Sequence, residues 1–183
     1  MPTPTATEPT GTADLTQLAT GFTTWLGKSG NTKVSKARAR HQAAPGEPVF
    51  STQDDMVNLN ATSASRLIRS GLRAGRVDEL VELLGLPKKE DLSHALNANS
   101  TSLWRWARDD KPLPSQTVEQ ILRAMQLQLF ATDVFGGVVP ARTWLSKSHP
   151  MLDDMSPSDY ADNEFGAQKV RGMLAGLKYG GVA

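Results

Sequence analysis

The chain has 183 residues, 39% hydrophobic and 21% charged, enough to bury a core in one domain or in two small ones sharing a scaffold. Its formal net charge is only +1, so any affinity for nucleic acid has to come from local clustering of Lys and Arg. The lack of cysteine excludes disulfides, thiolate metal sites and cysteine nucleophiles, and the scattered His41, His94 and His149 lack metal-ligand spacing.

Residues 1–13 are low in complexity and carry no large apolar groups to offset their ordering entropy, so disorder is expected there. Asp14 reads as an N-cap, followed by Leu15, Leu18, Phe22, Trp25 and Leu26 at helical spacing, with Gly27 expected to end the helix. Lys28, Lys33, Lys36, Arg38 and Arg40 then occur with no acid between them, ahead of the breakers Pro45-Gly46 and Pro48. This run is either a solvated linker or an arm that touches phosphate. Residues 1–62 are thus expected to form a largely disordered N-terminal extension, with a helix possible at 14–26.

From about residue 63 the pattern is densely helical. Val77, Leu80, Val81 and Leu84 share one face, Gly85 suits a left-handed cap, and Pro87 is expected to open the next helix at its first turn. Leu92, Ala95 and Leu96 supply the inner face of that helix. The stretch from Asp91 to Trp106 then fills every station of a helix-turn-helix: Ser93 at the small packing position, Asn97 at the left-handed turn, Ala98 as apolar plug and Asn99 as cap. Leu103 and Trp106 would face inward. Ser100, Thr101, Trp104, Arg105 and Arg108 would project outward, with Lys111 just beyond, a face suited to a major groove. The plainer alternative is a helical hairpin whose arginines are merely solvated. Asp109 and Asp110 would repel phosphate if they shared that surface.

Ser115 is expected to cap a long helix carrying Val118, Ile121, Leu122, Met125, Leu129 and Val134, which ends at Phe135-Gly136 and bridges the two parts of the chain. Beyond it, residues 140–145 suggest a short helix with Trp144 and Leu145 inward. Ser156-Pro157-Ser158-Asp159 has the form of a capping box with Pro at the first helical position. The last helix would bury Val170, Met173, Leu174 and Leu177. The ending, Tyr179-Gly180-Gly181-Val182-Ala183, is unusually apolar for a terminus and is expected to dock on the chain's own body or on a partner. The fold class is therefore all-α, with a helix-turn-helix domain over 63–132 joined by a long helix to a small helical domain over 133–183.

The ordered series of phrases from about residue 67 onward resembles the type II antitoxins of the Xre/MbcA/ParS family. The phrases are Arg69-Ser70-Gly71-Leu72, Phe135-Gly136, Ala141 with Trp144-Leu145, Pro150-Met151-Leu152, Pro157 before Asp159, and Glu164-Phe165-Gly166-Ala167 leading to Val170, Leu174 and a terminal Gly-Val. Departures are Asp153-Asp154, where the family usually has a glycine-containing turn, and the less typical Tyr160 and Phe165. The first sixty residues have no counterpart in short members. The resemblance implies a C-terminal toxin-binding domain, a cognate toxin partner, most often of the NAD-consuming RES type, a homodimer, and repression of its own operator DNA. Asp153 and Asp154, with Tyr179, Gly180, Gly181 and Val182, are the candidate toxin-binding residues, because an acidic approach and an apolar tail complement a basic dinucleotide cleft. Asp159, Asp162 and Glu164 belong either to that acidic surface or simply to helix N-termini.

Two other classes compete with this one: a stand-alone helix-turn-helix regulator without a toxin, and an enzyme. The only adjacent carboxylate pair in the C-terminal part, Asp153-Asp154, has no nearby nucleophile arrangement, so no catalysis, cofactor or small-molecule substrate is expected. No stretch approaches the ~18 apolar residues of a membrane span, and no signal peptide is evident, so a cytoplasmic protein without membrane contact is expected.

Overall fold

The computed structural model describes residues 10–30, 50–53 and 56–180. In order these form α1 (Thr10–Ser29), β1 (Phe50–Gln53), β2 (Met56–Leu59), α2 (Ala61–Ser70), a 3₁₀ turn at Ala74–Arg76, and α3 (Glu79–Leu84). There follow α4 (Asp91–Ala95), α5 (Ser100–Arg108), α6 (Ser115–Phe135), α7 (Val138–Ser146), a 3₁₀ turn at Pro150–Leu152, α8 (Pro157–Tyr160) and α9 (Glu164–Tyr179). The fold is helical as expected, apart from the antiparallel hairpin β1–β2, which pairs Phe50 with Leu59 and Gln53 with Met56. Of the stretch 1–13 expected to be disordered, residues 10–13 belong instead to α1, while residues 1–9 and the basic run from Lys33 to Arg40 lie outside the described residues.

The long helix α6 organises everything else. Residues 125–132 are buried in succession, polar Gln126, Gln128 and Thr132 included, so this part of the helix has no solvent face. Thr132 donates its hydroxyl to the Gln128 carbonyl at 2.7 Å, satisfying a polar group that would otherwise be costly to bury. α1, α2, β2, α7 and α9 surround it. Ser115 is not a cap: it is the first helical residue, preceded by Pro114, and no side chain caps this end. At the other end Gly136 takes the left-handed conformation, φ 69°, with its N–H bonded to the Thr132 carbonyl.

α1 corrects the expectation of a largely disordered extension with a helix only possible at 14–26. It starts at Thr10, four residues before the expected cap, and passes Gly27 to Ser29, because the Gly30 N–H still finds the Leu26 carbonyl at 3.0 Å. Leu18, Phe22, Trp25 and Leu26 are buried, and the Trp25 indole donates to the Arg76 carbonyl at 2.7 Å. Asp14, inside α1, caps a different helix: its carboxylate accepts the Val138 N–H at the start of α7, 3.4 Å away. Gly30 pairs with Leu72, and Arg73 donates its N–H to the Ser29 carbonyl. Helix and body are thus joined from Asp14 to Gly30.

Pro87 does not begin a helix. The chain turns through residues 87–90, where the Asp91 carboxylate accepts the Lys88 N–H at 3.1 Å, and α4 starts only at Asp91. Gly85 has the expected left-handed geometry, and the Arg142 guanidinium of α7 lies across it, donating to the Glu82 and Leu83 carbonyls at the end of α3. Burial pushes that guanidinium below its usual pKa. α9 runs parallel to α6, held at one end by Arg123 with Glu164 and the Asp162 carbonyl, at the other by Lys178 with Asp133. Its apolar face buries Val170, Met173 and Leu174, but Leu177 is exposed, since α6 ends just past Asp133 and offers little for the last turn to lie against.

Replacing Phe22 by Ala should open a cavity in this shared core and cost about 3–5 kcal/mol. Urea unfolding should show a lower midpoint at unchanged slope. A loss under about 1 kcal/mol would mean that α1 is not part of the cooperative unit.

Candidate functional site

The helix-turn-helix stations fold as their chemistry dictates. Asn97 adopts φ 42°, and its neighbour Ala98 is partly buried and returns its N–H to the Ser93 carbonyl at 2.8 Å. Asn99 caps α5 by accepting the Ser102 N–H at 3.0 Å. Leu92, Leu96 and Leu103 are fully buried, and Trp106 packs partly against them. Ser100, Thr101, Arg105, Arg108 and Lys111 are exposed, so α5 brings the expected polar set onto one open side.

Three of these residues differ in character from the expectation. Trp104 is not a free outward aromatic: it is half-buried, with the Lys89 ammonium 4.6 Å from its ring centroid. Arg108 and Lys111 both bind the carboxylate of Asp109, at 3.0 and 3.2 Å, and these contacts hold Asp109 below the usual carboxylate range. Asp109 therefore does share the surface and offsets two of its cations. Arg105 pairs with no acid among the described residues and remains the uncompensated guanidinium of the helix. Asp110, at φ 43°, faces away and accepts from Arg73 Nε at 2.6 Å and from the Gly75 N–H at 2.9 Å, which lowers its pKa, the Arg73 bond contributing most.

The C-terminal candidates fall into two places. Asp153 and Asp154 are exposed and both left-handed, φ 55° and 60°, the geometry for which glycine is the easier residue. Buried Leu152 and the bond from the His149 N–H to the Met155 carbonyl hold this knuckle in place. Met155, which follows it, lines a groove with Asp159, Asp162 and the helix-turn-helix residues His94 and Asn97. The groove, about 680 Å³, is crossed by a His94–Asp159 contact of 3.5 Å. Ser156 caps α8 through the Asp159 N–H, as the motif requires. Tyr179 and Gly180 lie at the C-terminal end of α9, a helix of 16 residues about 24 Å long. Gly181 and Val182 are outside the described residues.

Further exposed apolar side chains that the sequence did not single out as site residues are Met151, Met155 and, above all, Phe165, which is 87% exposed. Its signal was legible, because Phe165 lies off the stripe of Val170, Met173 and Leu174. Next to it, Gly166 packs so tightly on the Tyr160 carbonyl that no Cβ would fit, which fixes α8 against α9 and aims Phe165 outward. Among the described residues no group of His, Asp and Glu is placed to hold a metal, and no helix is long and apolar enough to cross a membrane.

Residues 130–180, which run from the end of α6 through α9, match the family model described as the Antitoxin Xre/MbcA/ParS C-terminal toxin-binding domain. The chain is also similar to a protein named Antitoxin Xre from Yersinia enterocolitica serotype O:8 / biotype 1B, with 30% identity over 114 residues that cover 62% of this chain and 76% of the relative.

The Asp110 contacts generate a stability test. Because its folded pKa is depressed, its contribution is present above the ordinary carboxylate pKa and fades as pH falls through the folded value. Asp110→Ala should lower Tm by roughly 2–4 °C at neutral pH, and the gap from the parent protein should narrow on acidification. A gap that widens in acid would rule out this role.

Proposed function

The chain belongs to the Xre/MbcA/ParS antitoxin family, and on that premise we propose that it neutralises a cognate toxin through its C-terminal part and represses its own operon through α5. The division of the exposed surface carries this proposal. α5 offers hydroxyls and guanidiniums, whereas the large apolar side chains exposed among the described residues all lie at or beyond Val139. The first surface suits a phosphate-lined groove and the second a protein.

The operator is read by Ser100, Thr101 and Arg105, with Arg108 and Lys111 reaching phosphate and Trp104 positioning the helix from below. A homodimer places two α5 helices on a two-fold operator, with half-sites about one helical turn, ~34 Å, or a multiple of it apart. The toxin is of the RES type and consumes NAD. Asp153 and Asp154 face its basic cleft, while Tyr179, Gly180, Gly181 and Val182 enter it. The protein acts in the cytoplasm by occlusion rather than by catalysis.

Arg105→Ala should weaken operator binding by ~1–3 kcal/mol and relax sequence preference. Arg108→Ala, whose cation is already shared with Asp109, should lose less and mainly flatten the salt dependence. Titrated gel shifts at two salt concentrations separate the two, and equal affinity in both variants and the parent would take α5 out of the interface.

Deletion of residues 179–183 should leave operator binding intact while costing roughly 2–4 kcal/mol of toxin affinity, a weakening of about 30- to 1000-fold. Growth rescue at equal expression reads this directly. Full rescue by the truncated protein would move the toxin contact away from the tail.

A further inference from the structure

α2 repeats the chemistry of α5. It is capped by Asn60 and carries Thr62, Ser63, Arg66 and Arg69, and the same residue types return at one constant offset as Asn99, Thr101, Ser102, Arg105 and Arg108. The structure repeats as well. Each Asn side chain accepts the N–H of the Ser three positions on, at 3.0 Å in both helices. Ala64 and Leu103 are buried at equivalent places, Thr62 and Thr101 are both exposed, and so are Arg69 and Arg108. With Leu67 and Ile68 packed on the core, α2 turns hydroxyls and guanidiniums outward.

The cations of α2 are less compensated than those of α5. Arg108 shares its charge with Asp109, whereas neither Arg66 nor Arg69 meets a carboxylate among the described residues. From Met56 to Val77 the sequence contains no Asp or Glu, and the two nearest acids, Asp110 and Glu79, are taken up by Arg73 and Arg76. Arg69 suits the last turn of its helix, where the dipole is negative, but Arg66 lies before that turn and gains little from it.

The two helices also end at one junction. Two residues after α2, the Leu72 carbonyl accepts the Leu113 N–H at 2.8 Å, and Arg73 pairs with Pro112. On the other side Leu72 pairs with Gly30, and the Arg73 N–H reaches the Ser29 carbonyl at 2.7 Å. The segments leaving α1, α2 and α5 therefore lie side by side at the ~4.8 Å spacing of paired strands, which gathers Lys28, Arg69 and Lys111 around one junction.

We propose that α2 is a second DNA-binding helix, whose Arg66 and Arg69 hold backbone phosphates of the duplex beside the half-site contacted by α5. The proposal rests on the operator-binding reading above and extends that interface to a helix outside the helix-turn-helix. Phosphate is a better target for α2 than a base edge, because α2 follows the β1–β2 hairpin and lacks the two-helix unit that sets α5 in a groove. It also has Ser65 where α5 has Trp104, so its outer face is short apart from the two guanidiniums. A guanidinium bonds phosphate bidentately, and Thr62 and Ser65 add hydroxyl donors. Continuity favours DNA over an acidic protein: Lys28, Arg66, Arg69 and Arg105, unpaired with any acid among the described residues, all sit on the three helices that meet here.

The test uses the full chain with Arg66→Gln and Arg69→Gln together, which keeps helix propensity and touches no core, so Tm and toxin affinity should match the parent. Gel shifts are titrated at several salt concentrations on the protein's own promoter DNA and on a duplex of unrelated sequence. The double variant should bind both duplexes roughly tenfold or more weakly at physiological salt, with a salt slope flatter by about two and an unchanged preference for the promoter. The corresponding Lys pair should recover most of the affinity, since a phosphate contact needs mainly the charge. Affinity and slope equal to the parent overturn the role of α2 while leaving that of α5 in place. A double variant that loses promoter preference overturns the phosphate assignment, and one that loses toxin affinity with DNA binding intact overturns the proposal and gives the face to a protein. A parent protein that shifts neither duplex overturns the operator reading and this proposal together.

Discussion

A helix without a solvent face has to be enclosed, and α6 imposes that condition on the rest of the chain. Over residues 125–132 every position is buried, so an amphipathic partner on one side would not suffice. α7 and α9 cover it from the C-terminal part, α2 and β2 from the middle of the chain, and α1 from the N-terminal part. The helix-turn-helix and the part matched to a toxin-binding domain are consequently built on one helix and share one core, and the region that sequence alone suggests is an extension supplies two of its largest fully buried residues, Trp25 and Phe22.

The legible features were those decided by chemistry within a few residues. Asn97 and Gly85 take left-handed conformations because few other side chains tolerate them, and Asn99 and Ser156 cap because their oxygens reach an N–H three positions on. What could not be read depended on partners far along the chain. Asp14 looked like the cap of its own helix, but its acceptor role is filled 124 residues away at Val138. Pro87 satisfied the rule for a helix start, yet the Asp91 carboxylate closes a turn first. Arg108 and Lys111 stood in suitable outward positions, and only the geometry of the helix end shows Asp109 between them.

The same distinction applies to the C-terminal candidates. Asp153 and Asp154 could be singled out as an acidic pair, but not as two consecutive left-handed residues held by a buried Leu152. Phe165 was visible only as an oddity of composition until the tight contact of Gly166 with Tyr160 showed which way it must point. Phe165 thus stands out by breaking the local rule that a large apolar side chain lies on the buried stripe of its helix.

The bond between Asp14 and the first turn of α7 has a consequence for how the protein is made. The apolar face of α1 is synthesised long before α6 and α7, two of the helices it packs against. At typical rates of synthesis the roughly 110 residues between α1 and α7 take on the order of 5–20 s to add, and throughout that interval Phe22 and Trp25 have no native partner in α6 or α7. Before that the nascent α1 can meet only α3 and the turn that carries the Arg76 carbonyl, and its final compaction waits for the segment matched to a toxin-binding domain.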